Sequence, residues 1–389
     1  MNGSALKRKC PICENKTGII LKKVTMHLPD NNPLPCEYNI VCCDACGFSY
    51  ADMEGDQNIY NDYYKWFNMY SENEDIKLNA WMDQVHKARL MLFAHRIPFS
   101  ANILDVGCGG GEFLKYLREN GYINLYGLDP SKESAERLNA GGIKGIQGNI
   151  FDELPEEMEN KFDVVISTAV AEHIYDLNLY VEQLKKYMKK GGYLLIDAPA
   201  VEGFPQYIYP IANYFNHEHI NYFSRISLEN LFGKHELKSL NRNPYVVTGE
   251  SDNDKEMILL ELFSEDVKRN PVFDSVSQVC IEEYLCKIDN NNKEIKDILI
   301  KEKKIIIWGC GSYTMQLIAK YPELLEAVEY FVDNNTIKQR TEICGKKVYS
   351  PMKILSERDS IILICSLKNS KDIEKQLLSI RKECEYYII

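Results

Sequence analysis

Asn102-Ile-Leu-Asp105-Val-Gly107-Cys-Gly109-Gly-Gly111-Glu112-Phe is an apolar run that breaks at glycines and then opens a helical pattern through Leu114, Leu117 and Arg118. It reads as strand, glycine turn and helix. Without Cβ atoms, Gly107, Gly109 and Gly111 permit tight turn geometry and close approach of a ligand to the main chain. Eighteen residues after Gly111, a second apolar strand, Leu125-Tyr-Gly-Leu128, ends in Asp129. A carboxylate at that point can accept hydrogen bonds from both hydroxyls of a ribose. Together the two signals describe a site for a ribose-containing cofactor in an α/β fold.

A dinucleotide-binding unit shows nearly the same strand, turn, helix and acid, so the discriminating residues lie downstream. They are Gly148-Asn149-Ile-Phe151, the strand Phe162-Asp-Val-Val-Ile166, Glu172-His173 opening the next helix, Leu184 to Met188, Lys190-Gly-Gly192, and the strand Tyr193-Leu-Leu-Ile196. In that order, the stretch from Asn102 to Ile196 resembles the class I S-adenosylmethionine (SAM) methyltransferases. The resemblance implies a Rossmann-like core with Asp105, Gly107, Gly109 and Gly111 around the methionine end of SAM. It sets Asp129 on the ribose and Asn149 beside the adenine, with Thr168, at the end of the fourth strand, also on the cofactor side. Many relatives carry Asp where this chain has Asn149, whose carbonyl oxygen still accepts from an amino group.

At 389 residues the chain exceeds one such core, and roughly one domain per ~150 residues suggests two or three. A net charge of -11 argues against a nucleic-acid partner, which leaves a basic footprint. No apolar run approaches the ~18 residues of a membrane span, and Met1 to Lys9 lacks a secretory core. A soluble, cytoplasmic protein is the expectation.

Of thirteen cysteines, four form two knuckles, Cys10-Pro-Ile-Cys13 and Cys43-Asp-Ala-Cys46, 29 residues apart. Four thiolates at that spacing close a tetrahedral structural Zn(II) site, the alternative being unligated buried thiols. Four cysteines leave no open position for a catalytic zinc. Cys42 adjoins Cys43 and could take its place, and Cys36 is extra. The remaining cysteines read as small apolar residues.

The aromatic stretch Tyr60-Asn-Asp-Tyr63-Tyr64-Lys-Trp66-Phe67 precedes a capping-box pattern at Ser71 to Glu74, which predicts a helix with Leu78, Trp81, Met82, Val85 and Leu92 on its apolar face. Trp66 and Phe67 are assigned to packing, Tyr63 and Tyr64 to a substrate lid. Beyond Pro199, Gly203 and Tyr207-Ile-Tyr209 comes Asn216-His217-Glu218-His219-Ile-Asn-Tyr222-Phe-Ser224, two histidines around an acid at the edge where open α/β sheets bind ligands. Such groups suit proton transfer near neutral pH, or local capping. In an extended segment His217 and His219 would share one face and Glu218 the other, so a joint site requires a turn.

With the cysteine ribbon and a C-terminal α/β unit, this motif resembles the sugar C-methyltransferases, which methylate keto nucleotide sugars. The resemblance implies His219 and Glu218 in catalysis, with His217 beside them, and Tyr63, Tyr64, Asn216 and Tyr222 toward the sugar. The family commonly has Tyr at the Asn216 position. A looser form of the motif occurs in methyltransferases of surface-polysaccharide biosynthesis, where the acceptor is a hydroxyl. A different class is a scaffold or regulator that binds SAM without transferring its methyl.

Asp289-Asn-Asn-Asn292 and Lys301-Glu-Lys-Lys304 mark a boundary before Ile305-Ile-Ile-Trp308, Gly309-Cys-Gly311, a helix through Leu317 and Ile318, a strand Val328 to Val332, and Asp333. Later strands are expected at Ile361 to Ile364 and Tyr386 to Ile389. This repeats the first logic as a small Rossmann-like domain, for which docking and substrate shaping is preferred over a second nucleotide site. The domains expected are a zinc ribbon over 1–66, the methyltransferase over 67–240, a connecting segment over 241–300 and the C-terminal domain over 301–389.

Overall fold

The computed structural model describes residues 3–66, 80–153, 155–207, 211–249, 255–288, 293–366 and 369–389. The expected starts at Ser71 to Glu74, Leu78 and Phe67, the Ile208-Tyr209 pair and the run Asp289 to Asn292 lie outside the described residues. Two compact units emerge: residues 1–21, 41–207 and 218–283 form one, and residues 22–40, 208–217 and 284–389 the other.

The first unit is built on β1 (Asn102–Val106), β2 (Asn124–Asp129), β3 (Lys144–Gln147), β4 (Phe162–Thr168), β5 (Met188–Pro199), β6 (Leu237–Ser239), β7 (Tyr245–Thr248) and β8 (Glu256–Glu265). Their order is β3-β2-β1-β4-β5-β8-β6, with β7 also paired to β8. Pairings among β1 to β5 are parallel, and those of β8 with β5, β6 and β7 are antiparallel. Parallel strands covered on both faces must be apolar at successive positions. Thus Ile103 and Leu104 are both fully buried, on opposite faces. Leu104, Val165, Leu194 and Ile196 join Leu177, Tyr180, Val181 and Leu184. Ile103, Val164, Ile166 and Leu195 join Phe93, Phe113, Leu114 and Leu117.

Part of the expected connecting segment, residues 241–300, belongs to this sheet. Tyr245–Thr248 and Glu256–Glu265 are sheet strands, and Glu256–Glu265 lies between β5 and β6. An antiparallel insertion of this kind depends on pairing with Tyr193 to Pro199, a contact about sixty residues away that local pattern does not encode. The predicted helix with Val85 and Leu92 appears over Ala80–Phe93. Glu172 and His173 sit in a separate 3-10 turn, Ala171–His173, and the next helix begins at Leu177 with Asp176 accepting from the Leu179 amide at 3.0 Å.

A second sheet has the strand order Ser4–Ala5, Thr17–Thr25, Glu37–Cys43, Ser49–Asp52, Asn221–Tyr222. Cys10, Ile12, Cys43, Phe48 and Tyr50 belong to the same core as Leu228 and Phe232, so this region draws on the larger unit for burial.

In the other unit β9 (Lys304–Trp308), β10 (Val328–Val332), β11 (Glu342–Ile343), β12 (Lys346–Tyr349), β13 (Ser360–Ile364) and β14 (Glu385–Ile388) form a sheet ordered β11-β12-β10-β9-β13-β14. It is parallel except for the β11–β12 hairpin. Ile306, Trp308, Val332, Ile362, Ile364 and Leu377 fill its core. This unit also takes in residues 22–40 and 208–217, which the division at residues 66 and 301 assigns elsewhere.

Candidate active site

The turn after β1 carries Gly107 and Gly111 at φ +75° and +77°. A Cβ at Gly107 would meet Val170 Cγ2 at 2.6 Å, and one at Gly111 would meet Leu138 Cδ2 at 2.3 Å. Gly111→Ala combines left-handed strain with this clash, and we expect it to lower stability by about 2–4 kcal/mol, read from the urea midpoint. A Cβ at Gly109, by contrast, meets nothing within 4 Å among the described residues. Among the described residues, the loop therefore packs tightly at its two ends and leaves space at its crown.

Asp129 fixes that crown. Its carboxylate accepts from the Gly109 amide and from the Ser131 amide, both at 2.9 Å. Asp105, 3% exposed, has an Oδ1 with no partner among the described residues, and burial pushes its carboxyl up to about 7 while the Arg89 guanidinium opposes the shift. A buried acceptor without a donor fits an ammonium group. Arg89 donates to Asp197 at 2.7–2.8 Å, and Asp197 accepts from the Ala169 amide at 2.8 Å. Ala169, held by this pair, sits at φ +53°, and the next residue, Val170, occupies the space a Cβ on Gly107 would need. Thr168, half-buried, ends β4 in register with Asp197. Asn149 spends its carbonyl oxygen on the Phe151 amide at 2.7 Å, while its own amide donates to Asp152 at 2.8 Å. The residue therefore shapes the loop, and its oxygen keeps one further lone pair.

Beyond Val170 the 3-10 turn presents Glu172 and His173. Glu172 is 2% exposed; burial pushes it up to about 8, and its Oε2 has no partner among the described residues. The His173 ring packs edge-on to His219, with centroids 4.8 Å apart at 71°. Its Nδ1 lies 2.8 Å from the Tyr64 hydroxyl and 3.1 Å from the Glu218 carbonyl, and its Nε2 is 3.8 Å from Glu172. Tyr63 donates its hydroxyl to Glu218 at 3.0 Å, and burial, then the Glu218 charge, keeps that phenol protonated. Tyr63, Tyr64, Glu172, His173, Glu218 and His219 thus form one array. One ligand atom each from Glu172, His173 and His219 lies within 4.8 Å of the others. Tyr222, 2% exposed, is a strand residue opposite Ser49.

Asn216 and His217 fall in the other unit. The chain bends over residues 215–218. His217 is buried, and the Asn216 side chain turns back on Ala212 and Asn213 at 3.4 and 3.5 Å while its carbonyl accepts from Tyr38 at 3.0 Å. In the same unit the Gly309-Cys-Gly311 turn repeats the acid clamp: Asp333 accepts from the Cys310 amide at 2.8 Å and the Asn335 amide at 2.9 Å.

Cys10, Cys13, Cys43 and Cys46 bring their sulfurs within 4.8 Å of one another. Cys10 and Cys46 are 3.5 Å apart, as are Cys13 and Cys43. Tetrahedral Zn–S bonds of about 2.3 Å place sulfurs about 3.8 Å apart, so the four fit a closed zinc site. Cys42 is outside this group and points its thiol at the Gly47 carbonyl at 3.2 Å, so it does not substitute for Cys43.

Residues 78–240 match the methyltransferase domain family. They form a class I SAM-dependent methyltransferase domain. Residues 301–388 match a family described as C2185-like, N-terminal. The methyltransferase domain is similar to EEF1A lysine methyltransferase 2 of Danio rerio, 33% identical over 130 residues covering 30% of this chain and 55% of that one. It is also similar to the ubiquinone biosynthesis O-methyltransferase of Chelativorans sp. (strain BNC1), 30% identical over 105 residues covering 25% of this chain and 41% of that one. The chain thus spans about half the length of these curated relatives. Among solved structures, a Burkholderia thailandensis 1,6-didemethyltoxoflavin-N1-methyltransferase with bound S-adenosylhomocysteine matches at TM-score 0.42 and 15% identity, covering 62% of this chain and 99% of that one.

In the methyltransferase domain, Arg89, Asp197, Glu172 and His173 were not singled out as site residues from sequence. The signal for the last two is their position just past the carboxyl end of a central strand, where open α/β sheets bind ligands.

Proposed function

We propose that the protein transfers a methyl group from SAM to a sugar, in the first instance the carbon beside the ketone of a nucleotide-linked sugar, with His219 as base. The observation that carries this reading is the Tyr63, Tyr64, His173, Glu218, His219 array, linked through Val170 to the glycine turn. Asp105 and the glycine turn would hold the methionine end of SAM, Asp129 the ribose, and Asn149 and Thr168 the remaining edge. Once bound, SAM supplies an electrophilic methyl and leaves as S-adenosylhomocysteine.

His219 takes the proton from the α carbon, the C–H pair moves into the enolate, and that carbon then captures the methyl while the C–S pair stays on sulfur. Tyr64 and the Glu218 carbonyl orient His173, and the Tyr63 phenol fixes the Glu218 carboxylate; this ordering pre-organises the base. Phenol donors of this kind also suit a developing enolate oxygen. Methylation of a sugar hydroxyl is the second reading, favoured by Asn216 in place of a phenol and by the O-methyltransferase relatives. In it the same imidazole takes a hydroxyl proton.

The test is incubation of purified protein with SAM and a panel of keto and hydroxyl nucleotide sugars. S-adenosylhomocysteine and a one-methyl mass gain on a keto sugar are expected. Tight SAM binding with no product from any member would favour a SAM-binding scaffold instead.

Asp105 also sets a pH dependence. Its folded pKa near 7 lies above the ordinary carboxyl value, so the folded chain binds more protons than the unfolded one and this group's contribution to stability falls as pH rises from about 4 to 7. Holding an ammonium requires the ionised form. SAM affinity should therefore rise about tenfold between pH 6 and 8, with proton release. Calorimetry in two buffers of different ionisation enthalpy checks this, and a pH-independent affinity contradicts it.

A further inference from the structure

We infer that Arg8 is a positioning residue for the histidine pair: its guanidinium clamps together the two backbone segments that carry His173 and His219. The inference rests on the reading of His219 as base. Arg8 precedes Cys10 by two residues and is 3% exposed. Its side chain donates to the carbonyls of Ile174 at 3.3 Å and Tyr175 at 2.5 Å, directly after His173. It also donates to the Ile220 carbonyl at 3.2 Å and the Asn221 side-chain oxygen at 3.1 Å, directly after His219. The charge is further met by the Tyr175 ring at 4.4 Å and the Tyr50 ring at 5.6 Å.

The two segments are also tied to each other. Asn221 donates to the Ala171 and Ile174 carbonyls at 2.9 and 2.7 Å, and the Ile220 amide donates to Glu172 at 2.8 Å. Arg8 closes this junction with a rigid planar fork, whose donor directions fix where the carbonyls can sit. An ammonium has no such fork. Burying a guanidinium is costly, and an apolar side chain would fill the same space without that cost. What the cation adds is a defined register between segments 46 residues apart. Its own backbone is held in turn by the strand leaving Cys46: the Arg8 amide donates to Asp52 at 2.8 Å and the Tyr50 hydroxyl to the Arg8 carbonyl at 3.1 Å. The cysteine cluster therefore has a physical route to the histidine pair, which gives the ribbon a role beyond stability.

The experiment uses the full chain labelled with 15N-histidine, with Arg8→Lys and Asn221→Ala, the latter reading the same clamp if the former fails to fold. We expect the imidazole resonances of His173 and His219 to move while those of His95 and His235 stay, with bound zinc unchanged and the SAM Kd within about twofold of wild type. Unmoved His173 and His219 resonances would overturn the inference. So would movement of all four signals together with loss of zinc and SAM binding, because that is the signature of a purely structural residue. The two readings fail separately. Wild-type turnover by His219→Ala removes the base but leaves the clamp standing, whereas inactive His219→Ala with unmoved Arg8→Lys resonances removes the clamp alone.

Discussion

His219→Ala should lower turnover on the responsive acceptor by about 10²–10⁴-fold, the range expected for loss of a positioned general base. SAM affinity should stay within about twofold, because Asp105, Gly109 and Asp129, the groups proposed to face SAM, are held by β1, β2 and the turn between them. The imidazole packs against His173, whose own position is set by the Tyr64 hydroxyl and the Glu218 carbonyl. Deleting one ring should therefore remove the proposed base while leaving its neighbours anchored. Single-turnover kinetics paired with calorimetric SAM titration would separate the two effects. Equal loss of binding and turnover would mean that His219 supports the fold of the site rather than its chemistry.

Cys43→Ser carries the other large effect. We expect it to abolish zinc binding and to unfold the cysteine sheet, since structural zinc contributes on the order of 10 kcal/mol to small metal units. The loss should spread further than in an isolated ribbon. Cys10, Cys43, Phe48 and Tyr50 share a core with Leu228 and Phe232, and Gly47 lies so close to Asp274 that a Cβ there would meet its carbonyl at 2.0 Å. Metal analysis of the purified variant, with its thermal transition, provides the check. Wild-type zinc content would show that the four thiols are not the ligand set, and Cys42→Ser serves as the control that should retain metal.

What was legible in the sequence is what backbone chemistry fixes locally. Glycines at Gly107 and Gly111 report left-handed turns, and an acid after an apolar strand reports a clamp on the turn; the structure has both the positive-φ glycines and an Asp129 carboxylate that accepts from the Gly109 amide, and Asp333 accepts from the Cys310 amide in the same way. Four thiols in two knuckles announced their own convergence. Other features depend on contacts between distant segments. Glu256–Glu265 is a strand because β5 offers it an edge. The bend over residues 215–218 is marked by no proline or glycine. Arg8 reads as one cation among many until the carbonyls of Ile174, Tyr175 and Ile220 converge on it. Asn149 was read for its outward chemistry, whereas the Phe151 amide claims its oxygen first.

The most direct test of the account is hydrogen exchange without methyl transfer. Purified protein is incubated with the keto nucleotide sugars of the panel in deuterated water, SAM withheld, and carbon-bound deuterium is followed by mass spectrometry. The account predicts that wild-type protein washes deuterium into the α carbon of one keto sugar and that His219→Ala does not. No exchange with any keto sugar, together with methyl gain on a hydroxyl acceptor once SAM is added, would contradict carbon methylation and assign the enzyme to oxygen chemistry.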